Sequence, residues 1–266
     1  MQHVRRTTAD QKKAGAGHRG KGFGGTRRLI ALLLLVPTVM VQAATATSAD
    51  AAVVAGFEID GNTPVDGGGL DWATTGTHST DPTGNVDDSN FTGGSKEFQN
   101  PNAWDEGTGT STDQGDISDV WSHFITGAQT WGFLGFQRIK ETGTMTFMVE
   151  FNQKANLPKQ TDDSVQFRPD RTVNDLLLRF EQDGNDSFEL TAAYKWTQSA
   201  AGSFASGCFT VPGYATPSAW CPTSVAGSGF AGATSVDGLF AEAAVNLSSF
   251  DSAGDCRGAF GTMNVR

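Results

Sequence analysis

Basic charge almost disappears from this chain after residue 51. The sequence carries 19 Lys and Arg against 29 Asp and Glu. Eight of the basic residues (Arg5, Arg6, Lys12, Lys13, Arg19, Lys21, Arg27 and Arg28) precede residue 52, where only Asp10 and Asp50 oppose them. Residues 52–266 therefore keep 11 basic and 27 acidic side chains, a net of −16. Such a surface repels phosphate backbones, which argues against nucleic acid as a partner, and it attracts cations. Long apolar runs are missing too. Leu29 to Val41 spans 13 residues and contains Pro37, whereas crossing a bilayer takes about 20. No permanent membrane span is expected.

Histidine and cysteine are equally scarce. Only His78 and His123 lie beyond residue 51, and no Gly-x-Ser-x-Gly elbow accompanies them, so Ser/His/Asp chemistry has no candidate members. His78 sits in a polar loop and His123 in an aromatic strand, positions that suit surface or rim residues. Zinc spacing, a phosphate-binding loop and a dinucleotide fingerprint are absent, and no repeat with a period of roughly 20–50 residues is visible. No catalytic residue is assigned.

What is present begins with a leader. Arg27 and Arg28 close a basic stretch, the apolar run 29–41 follows, and small residues take over to Ala52. That order is a secretory signal over residues 1–51. Cleavage is possible after Ala43, Ala46 or Ala51, the last being favoured, which leaves a secreted part of 215 residues, 52–266. The twin arginines leave both the general secretory and the folded-export routes open, with the leucine-dense core favouring the former. In an oxidising compartment Cys208 and Cys221 are expected to pair across a Gly/Pro-bearing loop, and Cys256 is left without an assigned partner.

Residues 52–266 read as a single all-β domain, an antiparallel sandwich of jelly-roll type behind a long Gly/Asp-rich N-terminal loop segment. From Gly56 to about Gly115 turn formers dominate, and Phe57, Ile59, Leu70, Trp72, Phe91, Phe98 and Trp104 are spaced as single anchors onto a core. Strand patterns begin at Asp116. The candidates are 120–125, 131–136, 145–151, 176–181, 188–196, 209–211, 239–247 and 259–265. In the third of these Met145, Phe147, Val149 and Phe151 share a face. The acidic-to-polar link 182–186 makes a hairpin of the fourth and fifth. Leu239 to Val245 also fits a short helix. The strand-like tail to Arg266 gives the expectation that the chain stops inside its own domain.

Three chemistries are worth weighing. Asp60, Asn62, Asp66, Asp71, Asp87 and Asp88 crowd one loop-rich region with little basic compensation. Ca²⁺ takes six to eight oxygens from such flexible loops, so these six residues are the candidate ligands of a structural Ca²⁺, against the plainer reading that Asp and Asn simply form turns. Trp104 and Trp220 lie in polar loops and are the candidate exposed platforms for a carbohydrate. The third chemistry is glycoside hydrolysis. Glu58-Ile59-Asp60 is similar to the acidic strand of concanavalin-like glucanases, but a retaining pair needs a second carboxylate about 5 Å away, and Asn62 occupies the position that should supply it.

Taken as a series, Phe57-Glu58-Ile59-Asp60-Gly61-Asn62, Asp71-Trp72, Asp87-Asp88, Phe91-Thr92-Gly93-Gly94-Ser95-Lys96-Glu97, Trp104, Asp116-Ile117 and Arg171-Thr172-Val173-Asn174-Asp175-Leu176-Leu177 carry a resemblance. They resemble the N-terminal β-rich region of a group of uncharacterised secreted or cell-surface proteins of high-GC Gram-positive bacteria, often followed there by repeated β-domains and a wall anchor. The Asp-Gly…Asp-Trp opening is also similar, more faintly, to family 9 carbohydrate-binding modules. The first resemblance implies a surface-exposed, non-enzymatic domain for adhesion or recognition, and the second a carbohydrate-binding module. The partner classes are thus an extracellular polysaccharide or a surface protein.

Overall fold

The structure is a computed structural model that describes residues 52–84, 91–92, 95–106, 115–141, 143–157, 168–183, 187–251 and 260–266. Fifteen strands, β1 to β15 in chain order, form two facing antiparallel sheets and two small ribbons among these residues. One sheet has six strands in the order β11 (Phe209–Val211), β12 (Ser218–Thr223), β10 (Ser187–Gln198), β9 (Leu176–Asp183), β8 (Thr144–Asn152) and β15 (Thr262–Val265). The other has five, in the order β13 (Ala231–Thr234), β14 (Phe240–Asn246), β7 (Thr130–Arg138), β6 (Ile117–Thr126) and β3 (Thr77–Thr80). The ribbons are β1 (Ala52–Val54) with β2 (Phe57–Ile59), and β4 (Phe91–Thr92) with β5 (Asp105–Glu106). The β-sandwich expected from the strand pattern is the observed fold.

Period-two alternation explains the core. Phe147, Val149 and Phe151 of β8 and Leu176, Leu178 and Phe180 of β9 face Leu134 and Phe136 of β7 and Ala241, Ala243 and Val245 of β14. Successive strand side chains point to opposite faces, so the intervening residues of the same strands look outward, and here both outer faces are covered. On the five-stranded sheet Phe57, Ile59 and Trp72 of the N-terminal segment pack onto Phe133, Phe240 and Ala244. On the six-stranded sheet Leu177, Trp196, Trp220 and Val211 form a separate apolar cluster. The stretch 239–247, ambiguous between strand and helix in sequence, is the strand β14, because pairing with β7 and β13 on its two edges satisfies its backbone. Cys208 and Cys221 are joined, as their placement around the 209–220 loop suggested. No helix among the described residues is long and apolar enough to cross a membrane.

Candidate metal centre

The site lies where the N-terminal segment clasps the five-stranded sheet. Along β14 the even-numbered residues Phe240, Glu242 and Ala244 point outward, beneath that segment, and Glu242 is fully buried there. Its Oε1 accepts the backbone N–H of Asp60 at 2.7 Å and of Gly61, and its Oε2 accepts the indole N–H of Trp72 at 2.7 Å. Gly61 has φ +83°, and a Cβ there would collide with the Thr234 carbonyl. Only glycine lets the chain turn this close to β13. Glu58, two residues before Asp60 and also fully buried, turns its carboxylate into the following loop, accepting N–H bonds from Asp66 at 3.0 Å and from Gly69. The loop closes through backbone bonds from Glu58 to Leu70 and from Leu70 to Gly56.

Those contacts bring Glu58, Asp60 and Asp71 together, with a carboxylate oxygen of each within 4.8 Å of the others. Asp71 is fully buried and one of its oxygens accepts the Trp72 N–H. The second, Oδ2, has no partner, and neither do Oδ2 of Asp60 and Oδ1 of Asn62, although all three atoms are buried. Buried polar atoms are nearly always satisfied, so three orphaned acceptors beside one carboxylate group mark a place for a positive charge. The titration of the group agrees. Burial, together with the neighbouring Asp60, Glu58 and Asp66 charges, pushes Asp71 up to about 7. Burial likewise raises Asp60, with Asp66 and Glu58 adding to it. Glu242 is pushed up to about 8 by burial against the pull of its N–H donors. Glu58 alone is held below the usual carboxylate range, by the N–H groups of its loop with Gly67 foremost. The Glu58, Asp60 and Asp71 group could hold a metal ion. Its donors are all oxygens, which suit a hard cation rather than zinc or copper.

The candidate ligands separate cleanly. Asp60 and Asp71 belong to the group. Asn62 borders it, its backbone N–H held by Asp60 Oδ1 at 3.0 Å, and Asp66 sits on the same loop with its Oδ2 3.5 Å from Asn62 Nδ2. Asp87 and Asp88 lie outside the described residues, as does Cys256. One member, Glu58, and the acid that anchors the segment from beneath, Glu242, have no ligand signal in the sequence. Glu58 was weighed only as a possible glycosidase carboxylate, and Glu242 is 182 residues from Asp60 along the chain. The one signal for Glu242 was an acid on an otherwise apolar strand face.

Trp104 and Trp220 are not the exposed platforms expected from their polar surroundings. Both are buried, Trp220 within a strand of the six-stranded sheet and Trp104 against Phe91 and the Arg266 guanidinium. Trp220 lies in strand β12, packs on Trp196 at 5.0 Å and donates its indole N–H to the Glu97 carbonyl at 2.9 Å. Beside them is a second buried acid. Glu150 of β8 receives Arg171 through Nε at 2.9 Å and Nη2 at 3.0 Å, and Arg266 through Nη2 at 2.6 Å. The Arg171 guanidinium also lies 5.2 Å from the Trp196 and Trp220 rings and 5.7 Å from that of Trp104. Burial would raise Glu150, but the two arginines hold it down at about 2. Of the histidines, His78 stacks on Trp121 at 4.6 Å and meets Asp119 at 2.8 Å, and His123 packs beside Phe57 and Phe133, where burial lowers its pKa.

No family model matches the chain, and no curated protein or solved structure matches it either.

Proposed function

We propose that this chain is a secreted, non-enzymatic recognition domain whose N-terminal clasp is completed by Ca²⁺. The observation that carries the reading is the buried Glu58, Asp60 and Asp71 group with its orphaned oxygens. Calcium fits best among hard cations because it accepts irregular sets of carboxylate, amide and backbone oxygens, whereas Mg²⁺ demands near-octahedral geometry and keeps its waters. A secreted chain would meet calcium in the surrounding medium, and the disulfide is compatible with an extracellular protein. A retaining glycosidase also needs two carboxyl groups close together, but here Glu58 and Asp71 are fully buried, which leaves a glycosidic bond no approach. Isothermal titration of the calcium-stripped chain should find one Ca²⁺ per chain, much weaker Mg²⁺ binding, and loss of the calcium heat in Asp60→Asn and Asp71→Asn. Absence of calcium binding in the unaltered chain would overturn the reading.

A further inference from the structure

Strands β3 and β15 are edge strands of the two sheets, and residues of both line one cavity. Its volume is about 400 Å³, within the range of roughly 300–1,000 Å³ typical of small-molecule sites. Ser79, Thr80 and Asp81 line it from the five-stranded side, Asn264 and Arg266 from the six-stranded side, and Trp104 beside them.

Arg266 gives this cavity its character. Its side chain is 9% exposed, its Nη2 is bonded to Glu150, and its guanidinium lies 4.8 Å from the Trp104 ring. Nε and Nη1 are buried and have no partner, and the indole N–H of Trp104, itself 1% exposed, has none either. Three buried donors at one cavity wall are thus left without an acceptor. Glu150 cannot supply it, because its charge is already shared with the bidentate Arg171. Two guanidinium groups share Glu150, with Glu97 a further negative charge that acts on Arg266, so what is left over at the cavity is the hydrogen-bonding capacity of Arg266 and Trp104. An incoming carboxylate would supply the acceptor these donors lack through a charge-assisted hydrogen bond, which is stronger than one between neutral groups. The remaining walls set the hydroxyls of Ser79 and Thr80 and the amide of Asn264 beside the apolar Ile117, Val120 and Met263, a mixture that suits the hydroxyls and the apolar face of a sugar ring.

We infer that the cavity between β3 and β15 is a binding site for an acidic sugar, a uronic acid unit whose carboxylate is taken by Arg266. This gives the recognition reading a ligand class, yet it stands on residues separate from the cation site.

The test is calorimetric titration of the full chain with glucuronate- and galacturonate-containing disaccharides, their neutral counterparts, and acetate, each in calcium and in chelator. The uronates should bind in both media. The neutral sugars and acetate should bind at least about tenfold more weakly, since a hydrogen bond to a charged group is worth roughly 1.5–3 kcal/mol. Arg266→Gln should lose a similar factor. Because that variant also touches Glu150, Ser79→Ala/Thr80→Val serves as a second one, remote from the arginine cluster, and should weaken uronate binding several-fold with an unchanged melting temperature. No uronate binding, equal binding of the neutral sugars or of acetate, or full affinity in both variants would each overturn the proposal. Uronate binding seen only in calcium would move the site to the metal and overturn it too, while calcium-independent binding would stand even if the cation reading failed.

Discussion

Two buried acid clusters sit on opposite outer faces of this sandwich, and they are neutralised by different means. Over the six-stranded sheet, Glu150 meets two arginines of its own chain. Over the five-stranded sheet, the leading influences on Glu58, Asp60, Asp71 and Glu242 are burial, N–H donors and neighbouring negative charge, with no Lys or Arg among them. An unpaired charge in a protein interior is expensive. The Glu150 carboxylate therefore has its counter-charges within the chain itself, whereas the carboxylates of the second cluster have none among the described residues and, on the calcium reading, take theirs from solution. The stability of the first face should fall only in strong acid, whereas that of the second should follow metal, and pH near neutrality where Asp71 and Glu242 titrate.

The largest effect is expected where the internal pair is broken. Glu150→Ala leaves Arg171 and Arg266 buried without a counter-charge, and should cost about 3–5 kcal/mol in denaturant unfolding with or without calcium. A loss under about 1 kcal/mol, the range of a surface pair, would mean that water already screens the cluster.

The pH profile sharpens the same contrast. Glu150 is held at about 2 in the folded chain against an ordinary value of 4.5. A carboxyl with a depressed folded pKa contributes its stability above the unfolded value and loses it as pH falls through the folded one. Roughly 3 kcal/mol should thus be lost between about pH 4.5 and 2. Chemical denaturation across that window should show the slope in the unaltered chain and a flatter one in Glu150→Gln.

A covalent tie closes the arginine-bearing face as well. The disulfide joins residues 13 apart and pins β11 to β12 beside Trp220. By loop-closure reasoning, Cys208→Ser with Cys221→Ser should lose about 2–3 kcal/mol. That loss should be the same in calcium and in chelator, because the bond and the metal centre lie on different faces.

How far the fold could be read in advance followed the reach of the forces involved. Strands β6 to β10 were legible because period-two alternation is local to the chain. The β12 strand was not, since Ser218-Ala219-Trp220-Cys221-Pro222 looks like a polar loop until β10 and β11 pair with it on either side. Of the candidate metal centre, Asp60 and Asp71 were legible as acids in a turn-rich stretch. Glu242 was not, because its role depends on β14 passing beneath a segment some 180 residues away. The pairing of Glu150 with Arg171 and Arg266 is likewise a tertiary contact with no local signature. The polar sequence neighbours of Trp104 and Trp220 likewise do not reveal that the first ends against buried arginines and the second in a strand paired on both sides.

The most direct measurement of the central claim is thermal unfolding of the unaltered chain and of Asp71→Asn, each in millimolar calcium and in chelator. A ligand at about a hundredfold over its dissociation constant adds about 2.7 kcal/mol, which for a domain of this size raises the melting temperature by roughly 5–10 °C. The unaltered chain should show that rise. Asp71→Asn should be at least as stable as the unaltered chain in chelator, because one repelling charge is gone, and should gain little from calcium. Superimposable curves for the unaltered chain in calcium and chelator would contradict the account, as would an undiminished calcium shift in Asp71→Asn.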